Sequence, residues 1–267
     1  MTLIFRAKTT NAYNIKILAE LLSNNIKVGH FVINKKGIFL KMMDTHRKIL
    51  ISVELLAENF GLYKLKNVSK LYIGLNLSHF HKMLKSIKKK DVLELYIDDE
   101  EHNILGIKVY PKENDRVTTS FVTIQSVQEF DIDLPKLESS PITISSSEFQ
   151  KMIKDMNNIG NMVNIKARNF NIKFTCKTDG ILAREVEFGE IGESADAEDN
   201  VVLYDQNFFT EQLTRLTKIS GLSNNIKIYQ GKPILFRSNV DNLGVINIYV
   251  KSNEQREMEE LDAKNKK

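Results

Sequence analysis

Apolar and polar residues follow two different periods along this chain, and the two periods occur together four times. A period of about 3.6 residues predicts an amphipathic helix, and a two-residue alternation or a short apolar run predicts a strand. At each of the four places a predicted helix is followed by a polar turn, a strand, a second turn and another strand. The predicted helices cover residues 11–22, 77–87, 147–158 and 208–220.

Two of these repeat units lie in each half of the chain, and this arrangement indicates two similar domains. Further strand segments between the units make strands outnumber helices, so the predicted fold class is α+β, with antiparallel sheets and two helices in each domain. These segments are residues 49–56, 61–67, 117–124, 181–188 and 200–205.

The boundary between the two domains is predicted from a stretch of weak periodicity, QSVQEFDIDLPKLESSP, which contains Pro135 and Pro141. Proline removes a backbone donor and favours extended chain, which is typical of a connector. The almost wholly polar C-terminal tail is predicted to be disordered or a frayed helix. The predicted divisions are a first domain 1–124, a connecting loop 125–141, a second domain 142–251 and a tail 252–267.

Composition excludes several classes of protein. The 267 residues are 42% hydrophobic and 27% charged, which is ordinary for a folded globular protein. A single cysteine, Cys176, excludes a disulfide framework and every multi-cysteine metal site. No apolar run reaches the roughly 20 residues that span a bilayer, and the first residues lack a signal-peptide pattern. We expect a soluble intracellular protein with no membrane partner.

The net charge of +4 is too small to indicate nucleic-acid binding, so the positions of the charges matter more than their sum. Lys82, Lys85 and Lys89 are spaced i, i+3, i+7 opposite the apolar stripe of the second predicted helix. Lys151 and Lys154 repeat that spacing on the third. Such faces are either simply solvated or form a cationic surface for phosphates, and their recurrence leaves the two interpretations near even.

Three segments resemble the sliding-clamp family of proliferating cell nuclear antigen: residues 37–55 (GIFLKMMDTHRKILISVEL), 74–85 (GLNLSHFHKMLK) and 145–165 (SSSEFQKMIKDMNNIGNMVNI). The resemblance covers nearly the whole chain in order. It implies the DNA clamp fold, in which three chains form a six-domain ring with helices around a central hole and a continuous sheet outside. Such homotrimeric rings encircle duplex DNA without sequence specificity, require a clamp loader, and tether DNA polymerase and other replication and repair proteins.

The resemblance also implies sites, none of them catalytic and none needing a metal or cofactor. The DNA-facing residues would be Lys16, Lys82, Lys85, Lys89, Lys151, Lys154, Arg215 and Lys218. A pocket for the clamp-binding peptides of partner proteins would use Met43, Leu50, Ile132, Leu134, Pro135, Pro233 and Tyr249. Subunits would join through the strands at 117–124 and 181–188. The expected location is the nucleus, or a viral replication factory if the chain is viral.

An enzyme is the first competing interpretation, and the residues do not support it. The acidic run 98–102 lies at a predicted strand turn, where consecutive carboxylates point apart. His79 and His81 are two apart on a helix and diverge, and Cys176 lies within a strand. The glycine-rich segment 189–194 lacks the P-loop lysine.

A second alternative keeps the fold and changes the role. The chain would then be one subunit of a heterotrimeric checkpoint ring, or a viral replication or transcription accessory factor that never closes a ring. Formation of a homotrimer separates the sliding clamp from both.

Overall fold

A computed structural model of the chain describes residues 3–113, 116–128, 132–136, 139–168, 171–178, 180–189 and 204–265. The chain divides into two compact units. Unit 1 consists of Met1–Thr45, Leu50–Asp133 and Asn239–Ile246, and unit 2 of His46–Ile49, Leu134–Ser238 and Asn247–Lys267.

Unit 1 contains two groups of antiparallel strands and two helices. The first group has the order β5 (Leu62–Leu65), β1 (Leu3–Thr9), β7 (Val92–Asp98), β8 (Ile104–Tyr110), β9 (Thr118–Thr123). The second has the order β4 (Ile49–Leu56), β3 (Gly37–Met43), β2 (Val28–Asn34), β6 (Lys70–Asn76), with residues 50–56 of β4 in this unit. Helices α1 (Ala12–Ser23) and α2 (Leu77–Leu84) pack against each other. Phe5, Leu21 and Leu40 are fully buried in the core.

Unit 2 repeats this plan. One group of strands has the order β13 (Leu182–Gly189), β12 (Asn171–Thr178), β11 (Met162–Ala167), β14 (Tyr204–Phe209). The other has the order β10 (Ile142–Ser145), β15 (Asn225–Tyr229), β16 (Ile234–Asn239), β17 (Gly244–Val250), with residues 247–250 of β17 in this unit. Helices α3 (Ser146–Asn157) and α4 (Thr210–Thr214) pack together. The core is aromatic, since the Phe149 ring lies 6.3 Å from that of Phe174 and 5.5 Å from that of Phe236.

Four strands were absent from the prediction, namely β1, β6, β10 and β17. Strands β1, β6 and β10 lead into helices of the repeat, so the repeat unit begins one strand earlier than the sequence indicated. The side chain of Asn76, the last residue of β6, accepts a hydrogen bond from the backbone N–H of His79 at 3.0 Å and caps α2. Ser145 at the end of β10 caps α3 in the same way. The last residue of each strand is therefore also the N-cap of the next helix. The hydrophobic period changes from two residues to about 3.6 residues at that point.

The predicted single helix over 208–220 is wrong. Phe208 and Phe209 end β14, α4 covers only five residues, and a 3₁₀ turn follows at Thr217–Gly221. The Thr214 hydroxyl donates to the carbonyl of Thr210 at 2.9 Å, and the Thr217 hydroxyl to that of Thr214 at 2.8 Å. Such side-chain bonds compete with the helical backbone ladder, and β-branched residues weaken it further.

Two other predicted elements are only partly matched by the structure. The second helix ends at Leu84, three residues before its predicted end. Of the strand predicted at 200–205, only Tyr204 and Asp205 lie among the described residues, and both belong to β14.

Of the two alternatives for the polar tail, the structure shows a helix, α5 (Asn253–Asn265). Ser252 and Gln255 form a reciprocal cap, because each backbone N–H donates to the other side chain at 3.1 and 3.2 Å. The Glu254 carboxylate accepts from the backbone N–H of Asn207 at 3.1 Å. Asn207 lies on β14, the terminal strand of its sheet, so α5 satisfies part of an open edge.

A buried carboxylate makes the stability of unit 1 depend on pH. The guanidinium of Arg6 on β1 binds both oxygens of Glu94 on β7 at 2.8 and 3.1 Å, and Tyr110 donates to the same carboxylate at 3.1 Å. Burial opposes ionisation of Glu94, but these hydrogen bonds outweigh it and lower its pKa below the usual range. Because the folded pKa is the lower one, the stabilisation is present above the unfolded pKa and is lost as the pH falls through the folded pKa.

Glu94→Gln is therefore expected to destabilise the protein at pH 7 by about 1 kcal/mol, a modest value because Arg6 is 39% exposed and its charge is screened. The difference from the wild type should shrink as acid protonates Glu94. Urea denaturation of the wild type and the variant at several pH values measures the loss of stability at pH 7 and its decrease in acid. An equal difference at every pH would show that the charge of Glu94 does not contribute.

Candidate nucleic-acid interface

Each unit carries a pair of helices, and the predicted DNA-facing residues lie on or next to them. In α2, Lys82 and Lys85 are exposed, and Lys85 is the C-cap residue. Cationic side chains at this end are favourable because they face the negative end of the helix dipole. Lys89 is exposed but lies beyond the helix, so the predicted helical stripe of three lysines is wrong at its third member.

Lys16 on α1 is half-buried and engaged within its own unit. Its ammonium donates to the backbone carbonyl of Ile87 at 2.9 Å and lies 5.4 Å from the centre of the Tyr13 ring. This bond ties α1 to the segment that follows α2. Lys16 therefore positions the helix pair, and its charge is partly used inside the protein.

In unit 2, Lys151 and Lys154 of α3 are exposed one helical turn apart. Arg215 is half-buried and forms an ion pair with Glu211, four residues earlier, which neutralises part of its charge. Lys218 is half-buried in the 3₁₀ turn and has an interaction of its own. The most accessible of the predicted helix cations are thus Lys82, Lys85, Lys151 and Lys154.

The predicted pocket residues differ in exposure. Met43 at the end of β3 is 36% exposed, whereas Leu50 and Tyr249 are buried core residues. Half-buried positions are Ile132, Leu134, Pro135 and Pro233. Met43, Leu50 and Ile132 belong to unit 1 and the other four to unit 2. Their common function as a peptide pocket stays a prediction.

The two predicted subunit-interface segments are both terminal strands of their sheets, β9 in unit 1 and β13 in unit 2. Terminal strands have unpaired N–H and C=O groups that another chain can complete. Both also carry exposed apolar side chains, since Phe121 of β9 is 60% exposed and Leu182 of β13 is 54% exposed. Beside them, Val117 and Ile181 are exposed as well. These edges are suited to pairing with another polypeptide.

The groups considered for catalysis do not form a site in the part of the chain that the structure describes. There, no three His, Cys, Asp or Glu side chains are placed to hold a metal ion. Cys176 is fully buried, and burial raises the pKa of its thiol. Of the segment 189–194, only Gly189 is among the described residues. In the same described residues, no helix is both long and apolar enough to cross a membrane.

Two similar units of antiparallel strands, each with a helix pair, define the class: a sliding-clamp fold. The family model described as "Proliferating cell nuclear antigen, N-terminal domain" matches residues 4–134, and the one described as "Proliferating cell nuclear antigen, C-terminal domain" matches residues 134–253. The chain belongs to the proliferating cell nuclear antigen family. This membership confirms the predicted family, the predicted fold and the prediction of a DNA sliding clamp.

Relatives from distant organisms agree with the assignment. The chain is 26% identical to proliferating cell nuclear antigen of Chaetomium thermophilum, over 84% of this chain and 88% of that protein. It is 25% identical to that of Dictyostelium discoideum, over 92% and 98%. It is 24% identical to the "DNA polymerase sliding clamp" of Nitrosopumilus maritimus, over 92% and 97%. The crystal structure of the Entamoeba histolytica protein matches the fold with a TM-score of 0.80, at 20% identity, over 94% of this chain and all of that one.

Proposed function

We propose that the chain acts as a homotrimeric ring that encircles duplex DNA and tethers DNA polymerase to it, without catalysing a reaction. The observation that carries this function is a pair of exposed lysines, with the same three-residue spacing, at a helix of each unit. Lys82 lies in α2 with Lys85 at its C-cap, and Lys151 and Lys154 lie in α3. Family membership over residues 4–253 supports it.

The proposed mechanism needs only weak contact with DNA. A closed ring is held on DNA by topology, so it requires neither base contacts nor tight phosphate binding. Flexible exposed lysines attract the phosphate backbone and exchange one phosphate for the next, directly or through water. The duplex is thereby kept in the centre of the ring while the ring slides. Lys16, Arg215 and Lys218 also add to the positive potential, but they contribute less because each already interacts with other groups of the protein.

Ring closure would occur by pairing of β9 in one copy with β13 in a second copy. Repeated head-to-tail contacts form a closed ring when the rotation from one copy to the next is a whole fraction of a full turn. A rotation of one third gives a ring of three copies. Light scattering after size exclusion tests this closure. We expect a salt-resistant species of about 92 kDa, three times the chain mass of 30.7 kDa.

Phe121→Asp should shift the assembly toward the monomer, because it places a charge at the paired edge. Met258→Asp, an equally exposed apolar position on α5, is the matched control and should keep the trimer. A wild-type monomer at micromolar concentration would contradict the homotrimer and favour the heteromeric or non-encircling role.

Partner proteins would bind through a short peptide with apolar and aromatic anchors. The exposed Met43 and the half-buried Ile132, both in unit 1, support such a surface, because accessible apolar groups can be covered by a peptide. A clamp loader would open the ring on DNA. The eukaryotic relatives support a nuclear location.

A further inference from the structure

A basic cavity in unit 1 lies outside the helix faces considered so far. It is an open cavity of about 260 Å³ between the segment after α2 and the residues that lead into β9. It begins at Ser86, directly after Lys85, and reaches Thr118, the first residue of β9. Its basic lining residues are Lys88, Lys89, Lys90, Lys112 and Arg116.

The cavity has a clear excess of positive charge. Among the described residues, five basic side chains line it, against two acidic ones, Asp91 and Glu113. The Asp91 carboxylate is turned inward, since it accepts a hydrogen bond from the backbone N–H of Lys88 at 2.9 Å and its residue is only 5% exposed. None of the ion pairs formed among the described residues involves the five cations.

The chemistry of the cavity fits phosphate groups better than other anions. Duplex DNA presents one negative charge per roughly 1.7 Å of its axis, so closely spaced cations can engage several phosphates at once. Arg116 adds a guanidinium, which can bind phosphate through two parallel hydrogen bonds. Lys89 lies 5.9 Å from the centre of the Tyr13 ring on α1, which places the lysine segment beside the helix pair.

We propose that this cavity is an accessory phosphate-binding site for the backbone of duplex DNA, and that it extends the cationic surface of α2 to the start of β9. The proposal rests on the proposed sliding-clamp function, because Lys82 and Lys85 must already face the DNA. The sequence alone showed only the run of lysines at 88–90. Lys112 and Arg116 join them through the fold, since they lie more than twenty residues later in the chain.

Lys90→Gln combined with Lys112→Gln tests the site, because both side chains are exposed and neither was assigned to the helix surface. The matched control is Lys35→Gln with Lys36→Gln, two exposed lysines of the β2–β3 turn with the same loss of charge. Binding of a fluorescent linear duplex is measured between 50 and 200 mM salt. Each lost phosphate contact should lower the slope of log K against log salt by about 0.9, so we expect a decrease of about 1–2 for the test variant relative to the control.

Equal slopes in the test and control variants would overturn the proposal. A second result would also overturn it: calorimetry shows that the wild type binds tripolyphosphate and the test variant does not, while the salt slope for DNA is the same in both. The site would then serve a free phosphate ligand. Lys82→Glu with Lys154→Glu, measured beside them, separates this failure from a failure of the proposed function. If that variant loses DNA binding and the cavity variant does not, only the accessory site is wrong.

Discussion

Replacing Lys82 and Lys154 together with glutamate is expected to reduce clamp-stimulated DNA synthesis about tenfold or more while leaving the trimer intact. The two residues are exposed on helices of different units, and each reversal turns a phosphate attraction into a repulsion. Each lost phosphate contact lowers affinity several-fold at moderate salt, and the three copies in a ring multiply the effect. Primer extension with the cognate polymerase and loader measures the synthesis.

The trimer should survive because neither lysine lies on β9 or β13, the proposed edges of contact. Lys35→Glu with Lys36→Glu makes the same change of charge at an exposed turn and is the matched control. If synthesis by the Lys82/Lys154 variant equals that of this control, the DNA-facing assignment of α2 and α3 is wrong. Light scattering on the same samples checks that the assembly is unchanged.

Gly37→Ala is expected to lower the free energy of unfolding by about 3 kcal/mol. This is the largest effect on stability that we predict, although the substitution removes no functional group. Gly37 opens β3, where it pairs with Leu56 of β4, and its φ of +152° is one that residues with a side chain rarely adopt. A Cβ at this position would overlap the backbone carbonyl oxygen of Leu55. Backbone cannot rotate away as a side chain can, so β3 and β4 must separate locally.

Calorimetry should show this loss as a decrease of about 6–10 °C in the first thermal transition. The control is Gly61→Ala in the same unit, where the nearest atom to a new Cβ is the carbonyl oxygen of Lys8 at an ordinary 3.6 Å. Equal transitions for the two variants would show that the strands adjust easily and that the close approach at Gly37 is unimportant.

The strongest periodic signals in the sequence predicted their elements well. The predicted helices at 11–22 and 147–158 are each displaced by one residue from α1 and α3, and the predicted strand 49–56 agrees at both ends with β4. Each of these segments keeps one period over its whole length. The errors occur where two periods meet, as at β6 and α2 or at β14 and α4. There, a cap such as Asn76 ends one element and begins the next, and no composition change marks the border.

By itself, the sequence determined the α+β class, the two-domain plan, the family and the helices that carry Lys82 and Lys154. These follow from local periodicity and from runs of residues, which are properties of neighbours in the chain. Only the tertiary structure decided which cations are available: Lys16 is bound to the carbonyl of Ile87, and Arg215 is paired with Glu211, whereas Lys112 and Arg116 join the lysines at 88–90. Exposure and charge balance depend on residues distant in sequence that the folded sheets bring together, and a one-dimensional pattern does not contain those distances.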